Sequence, residues 1–155
     1  MIRHSIRWLA LLSTAIAIMP AGAHLFELPN KIGLGQQDYF VVQGIYTGWA
    51  LFGIVLFAAL GATLAYTIAL YVQDRPFAFA AAAFVLLLAN LGLFFALTFP
   101  TNQATQNWTV APENWESLRA QWEYSHAANA LVIFAAFVCL LIAVSRDLAL
   151  RDGQD

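Results

Sequence analysis

Residues 115–147 read WESLRAQWEYSHAANALVIFAAFVCLLIAVSRD, and this run decides the fold. Its inner part, 124–145, carries no Asp, Glu, Lys or Arg, and a helix needs roughly 20 apolar residues to cross the hydrocarbon layer of a bilayer. Its beginning is different. Trp115, Arg119, Trp122, His126 and Asn129 recur every three or four residues, which stacks them along one side of an α-helix with Glu123 beside them. An aromatic and ionisable stripe therefore leads straight into a membrane span.

The same charge test finds three more spans, because 8–26, 39–73 and 76–112 also lack Asp, Glu, Lys and Arg. Over all 155 residues, 61% are apolar and 10% charged, whereas charged residues make up about a quarter of a soluble domain. The expected fold is all-α: a four-helix transmembrane bundle forming one domain, 1–155, with spans at about 5–28, 38–73, 77–99 and 114–147. The fourth would be roughly 52 Å long at 1.5 Å per residue, so two or three turns should project beyond the lipid. The bilayer is its first partner. A net charge of -2 with no basic run gives no support to nucleic-acid binding, and no nucleic-acid partner is expected. Cys139, the single cysteine, has no partner for an intrachain disulfide and reads as a packing residue.

If the spans alternate, Arg3, Arg7, Arg75, Arg146 and Arg151 share one side, and Lys31 and Arg119 the other. The positive-inside rule then places both termini in the cytoplasm. The expected location is a bacterial cytoplasmic (inner) membrane, with the ionisable stripe at the outer face. Residues 1–23 also imitate a signal peptide, with an A-x-A site at Ala21-Gly22-Ala23. Cleavage there would make His24 a new N-terminus able to clamp a metal; the reading adopted is a retained first span.

Local signals divide the chain further. Pro20 should bend the first helix, and the run from Pro29 to Gly35 should break it. The second helix is expected to start near Gln36, with Asp38 against its positive end, and to continue unbroken to Gln73. Tyr39, Gln43 and Tyr46 would line one of its faces, and Gly44, Gly48, Gly53 and Gly61 would allow close helix approach. Asp74-Arg75-Pro76 reads as a tight turn. Asn90 suits an interhelical hydrogen bond, and Pro100 should end the third span, leaving Asn102 in a polar loop. His4 and the tail 148–155 read as solvated.

Ionisable groups at membrane depth cost about 2.5–3.5 kcal/mol each on insertion scales, which makes them functional candidates. The most specific pattern is His24-x-x-Glu27 set against Glu123-x-x-His126, two pairs of opposite polarity at matching depth. Glu-x-x-His is the ligand pair of di-iron bundles. The further carboxylates of such sites are missing here, so one transition metal (iron, copper, zinc or manganese) on His24, Glu27, Glu123 and His126 is the economical version. The alternative pairs Glu123 with Arg119 at i, i+4 and leaves the histidines hydrogen-bonded across the bundle. Two histidines could also ligate a haem, although no second pair and no Cys-x-x-Cys-His is present. Tyr39, Tyr46, Trp49, Trp108, Trp115 and Trp122 suit a membrane-interface girdle, which could equally wall a pocket for a flat ligand.

The run 99–137, FPTNQATQNW…ENWESLRAQWEYSHAANALVIFAAF, resembles the signature of the anthrone oxygenase-like family of small four-span membrane proteins. The matching pattern is Pro100-x-Asn102, a short polar loop, then Trp115, Arg119, Trp122 and His126. The segment 23–30, AHLFELPN, is similar to first-helix sequence of some bacterial members, most of which carry no established activity. Fungal members oxidise anthrones with molecular oxygen, so the resemblance implies an oxygenase or oxidoreductase acting on a lipophilic, anthrone- or quinol-like molecule. In that chemistry a base removes a proton and a donor stabilises the oxyanion. His126 or His24 would be the base and Arg119 the charge stabiliser. Trp115, Trp122, Tyr46, Tyr39, Gln43 and Asn102 would bind substrate in an outward-opening pocket between helices one, two and four. The competing expectation is a non-enzymatic subunit or scaffold, or a metal or haem carrier, in a homo-oligomer or larger complex.

Overall fold

The computed structural model describes residues 2–152. They form α1 (Ile2–Lys31), α2 (Gln36–Gln43), α3 (Phe52–Tyr71), α4 (Ala78–Leu93), α5 (Phe99–Ala104) and α6 (Trp115–Asp152). Four stretches are long and apolar enough to cross a membrane: His4–Lys31, Trp49–Tyr71, Ala78–Ala104 and Trp115–Leu150. The chain is an all-α, four-helix integral membrane protein. α1 packs against α3 and α6, and α4 packs against the same two, so the helices stand in the ring order α1, α3, α4, α6.

Small residues set the spacing of this ring. Ala10, Ala59, Ala80, Ala83 and Ala136 are wholly buried, with Leu70, Leu87, Leu140 and Tyr66 filling the space between them. Close backbone approach is what drives association in lipid, where no hydrophobic effect acts between helices. The glycines do not contribute as expected: a Cβ added at Gly44, Gly48, Gly53 or Gly61 would meet nothing within 4 Å. Alanine is small enough for these contacts and forms helix better than glycine. The outer faces, with Leu9, Ile16, Phe57, Ile68, Val85, Leu131 and Phe134 exposed, present hydrocarbon to the lipid.

Four boundaries differ from expectation, each for a local reason. The helix does not break at Pro29; α1 continues to Lys31, bringing that cation onto the helix's last turn, where it also faces the negative dipole end. The second span is not one helix. α2 ends at Gln43, 3-10 turns follow at Gly44–Tyr46 and Trp49–Leu51, and Gly48 between them has φ 88°, a left-handed conformation suited to glycine. Tyr46 thereby leaves the α2 face that carries Tyr39 and Gln43. Pro100 does not end the third span either. A π-helical turn, Phe94–Thr98, absorbs the missing N–H, and Thr101 Oγ1 (3.0 Å) and Gln121 Nε2 (2.8 Å) both donate to the Leu97 carbonyl. Asn102 thus sits on α5, not in a loop. α6 extends past Asp147 to Asp152, so most of the expected solvated tail is helical; 153–155 lie outside the described residues.

Other expectations hold. Asn90 Nδ2 donates to the Asn129 carbonyl at 3.0 Å, joining α4 to α6, and His4 is exposed beside Arg7 and Trp8. At the bundle end near the termini, buried Asp147 lies 3.6 Å from both Arg7 and Arg75 and accepts a 3.3 Å hydrogen bond from Tyr66. The ionisable stripe lies at the other end, roughly 36 Å away along α6 from Asp147 to Glu123. Apolar Ile133, Ala136, Leu140 and Ala143 separate the two layers.

Candidate functional site

Continuation of α1 through Pro29 places His24, Glu27 and Lys31 at i, i+3 and i+7, on one face. α6 presents Trp122, Glu123 and His126 opposite, so the two His/Glu pairs do meet. They meet around Lys31, the last residue of α1. Lys31 Nζ lies 3.1 Å from Glu123 Oε1 and 3.5 Å from Glu27 Oε2, and donates to the Tyr46 hydroxyl at 2.5 Å. The ammonium also sits 4.3 Å from the ring centre of Tyr46 and 4.7 Å from that of Trp122, within cation–π range. The Lys31 and Glu123 side chains are 3% and 0% exposed.

The second shared layer is a pair of imidazoles. His24 and His126 stack with ring centres 4.0 Å apart and planes 27° from parallel. Tyr46 (4.5 Å), Trp122 (5.0 Å) and Trp49 (5.5 Å) surround the His24 ring. His24 Nδ1 and Glu123 Oε2 are buried without a hydrogen-bond partner. Buried polar atoms are normally paired, so these two mark where the layer is incomplete.

Tyr39, fully buried on α2, donates to Glu123 Oε1 at 2.8 Å. Burial, followed by the negative charge of Glu123, pushes its ionisation far above the ordinary tyrosine range. Tyr46 donates to Glu27, and burial together with that carboxylate raises its ionisation likewise. Gln43 is buried, with neither amide atom hydrogen-bonded. Trp108 covers Tyr39 at 5.0 Å and Trp122 at 5.9 Å. It is folded inward by three successive left-handed residues, Gln106, Asn107 and Trp108, at φ 48°, 55° and 64°. Such a conformation costs roughly 1–2 kcal/mol per non-glycine residue, and the hydrogen bond that Thr105 Oγ1 accepts from the Trp108 amide at 3.1 Å offsets a part of it.

Arg119 does not pair with Glu123. Its guanidinium donates to the Leu34 carbonyl at 2.5 Å and lies 4.7 Å over Trp115, securing the loop after α1, while Glu123 pairs with Lys31 instead. The cation beside the imidazoles is Lys31. Asn102 accepts from Trp122 Nε1 at 2.8 Å and fixes the indole. Where a pocket is expected, the rings of His24, His126, Tyr46 and Trp122 lie in direct contact, and surface hollows open beside Asp74-Arg75-Pro76 and between Phe40 and Trp108. Among the described residues, no group of three or more His, Cys, Asp or Glu side chains is placed to hold a metal ion. Both carboxylates of the expected ligand set turn to Lys31, and the two imidazoles stack on each other with ring centres 4.0 Å apart. The chain matches no protein-family model, no curated protein and no solved structure.

Lys31 could have been found in the sequence. His24, Glu27 and Lys31 keep helical spacing, and proline removes a single N–H from a helix without obliging it to end. The run of Pro, Asn and Gly over 29–35 outweighed that register.

Proposed function

We propose that the protein is a membrane oxidoreductase that oxidises a lipophilic, enolisable aromatic with molecular oxygen at this layer. One observation carries the reading: the unpaired, buried His24 Nδ1 on an imidazole stack, next to the Lys31 cation and within an aromatic wall. The imidazole is the base that removes the proton, and Lys31 takes the oxyanion-stabilising role that the resemblance assigns to Arg119. The resemblance to anthrone oxygenase-like proteins names the first compound to try. For anthrone the balance is one anthrone plus one O2 giving one anthraquinone plus one H2O. Proton loss forms the enolate, which transfers an electron to oxygen. Recombination at the same carbon gives a peroxide anion, the imidazolium returns its proton to make the hydroperoxide, and loss of water leaves the carbonyl. The cluster of arginines at the opposite end favours placing this layer at the outer face of a bacterial cytoplasmic membrane.

The test is oxygen uptake by the detergent-purified protein with anthrone, alongside its optical spectrum and metal content. Uptake matched by anthraquinone formation, and lost in both His24→Ala and His126→Ala, supports the reading. Uptake equal to the protein-free rate overturns it. A second reading rests on the saturation of Lys31 by Glu27, Glu123 and Tyr46: the layer is a clasp joining α1, the α2 segment and α6 in a non-enzymatic subunit. Under that reading the variants change stability alone.

A further inference from the structure

The rings of His24, Tyr46, Trp122 and His126 lie in direct contact, so a ligand seated among them displaces one, and the side chains of the layer are held very unequally. Glu123 and Tyr39 are wholly buried and bonded to each other. His24 and Trp122 belong to spanning helices. Tyr46 is different, because it ends a single 3-10 turn with exposed Gly44, Ile45, Thr47 and Gly48 around it. A Cβ at Gly44 or Gly48 would touch nothing, and the hydrogen bonds that these two residues' carbonyls accept are local, from Thr47 and Leu51. Gly48 supplies a left-handed joint directly after the turn.

What Tyr46 does inside the layer is also distinctive. Its hydroxyl accepts from Lys31 and donates to Glu27, the less buried of the two carboxylates at 33% exposure. Its ring lies against His24 at 4.5 Å, Trp49 at 5.0 Å and Trp122 at 5.5 Å. A phenol therefore already sits there with every polar and aromatic contact that a phenolic ligand would need.

We infer that Tyr46 is an internal stand-in for the ligand: the seat between Lys31, Glu27, His24 and Trp122 receives a planar phenol or enol once the Gly44–Gly48 segment swings Tyr46 out. The ligand's O–H donates to Glu27 and its oxygen accepts from Lys31. The charge-assisted hydrogen bonds lost by Tyr46 are thus remade, and the exchange costs little beyond ordering the ligand. This rests on the proposed function for the location of the site, and it adds the ligand class and a side chain that competes for the seat.

The test is anaerobic binding of 2-naphthol and of naphthalene to the full chain in detergent, read by tryptophan fluorescence. Tyr46→Ala should bind 2-naphthol at least tenfold more tightly than the wild type, and at least tenfold more tightly than it binds naphthalene. Tyr46→Phe keeps the ring but frees Lys31 and Glu27, and should tighten 2-naphthol binding severalfold; it serves alone where Tyr46→Ala does not fold. Unchanged or weaker binding by the folded variants, or naphthalene bound as well as 2-naphthol, overturns the inference. Because oxygen is excluded, failure of anthrone oxidation leaves the binding result intact. Oxidation with no gain in binding sinks the stand-in alone.

Discussion

Lys31 Nζ, on the last residue of α1, lies 3.1 Å from Glu123 Oε1 on α6, and the two side chains are almost wholly excluded from solvent. This pair fastens the first spanning helix to the last. Removing one partner of a buried ion pair leaves an uncompensated charge, a loss of about 3–5 kcal/mol. Lys31→Met should therefore lower stability by about that amount in detergent unfolding. Adding Glu123→Gln to it should recover more than about 1 kcal/mol, since the stranded charge is then gone. Strictly additive losses in that double-mutant cycle would show that the pair does not couple the helices.

Tyr39 secures the same carboxylate from a third element. Tyr39→Phe removes the donor to Glu123 Oε1 but leaves Lys31 in place, so a loss of about 1–3 kcal/mol is expected. Tyr124→Phe, at a side chain 60% exposed, should stay within about 0.5 kcal/mol. Equal effects from the two would remove the case for the Tyr39 contact.

Tyr46 should resist ionisation. Its pKa is raised by burial and by the hydrogen bond to Glu27. The absorbance rise at 295 nm near the ordinary tyrosine pKa of about 10 should therefore be the same size in the wild type and in Tyr46→Phe. With the folded value above the unfolded one, the stabilising contribution is fully present below pH ~10. It is lost at higher pH, where the unfolded chain ionises and the folded one does not. A smaller rise in Tyr46→Phe would mean that Tyr46 titrates freely.

The glycines offer a paired test. Gly48→Ala has space for its methyl group but must hold φ 88°, so it should destabilise by roughly 1 kcal/mol. Gly61→Ala, inside α3 and equally unobstructed, should stabilise by up to about 1 kcal/mol through helix propensity. Destabilisation at Gly61 would restore the close-packing role that its sequence context suggests.

Much of the architecture was legible before any coordinate. Charge-free stretches of sufficient length permit only membrane-spanning helices, because lipid offers no partner to an open backbone. Alternation of four such spans also brings the C-terminal end of the first and the N-terminal end of the last to one layer, so the meeting of His24 and Glu27 with Glu123 and His126 followed from topology. Periodicity likewise found the stripe on α6.

Only the tertiary structure decided which charge meets which. Arg119 and Glu123 stand at the spacing of an ordinary helical pair, yet Glu123 faces the bundle and takes Lys31, while Arg119 turns to Leu34 and Trp115. Sequence spacing fixes neighbours along one helix, whereas a buried charge selects the partner that satisfies it best in three dimensions. The same holds for Tyr46. A helical repeat grouped it with Tyr39 and Gln43, but the joint at Gly48 gave it a separate turn and a place between Lys31 and Glu27, set by contacts between segments far apart in the chain.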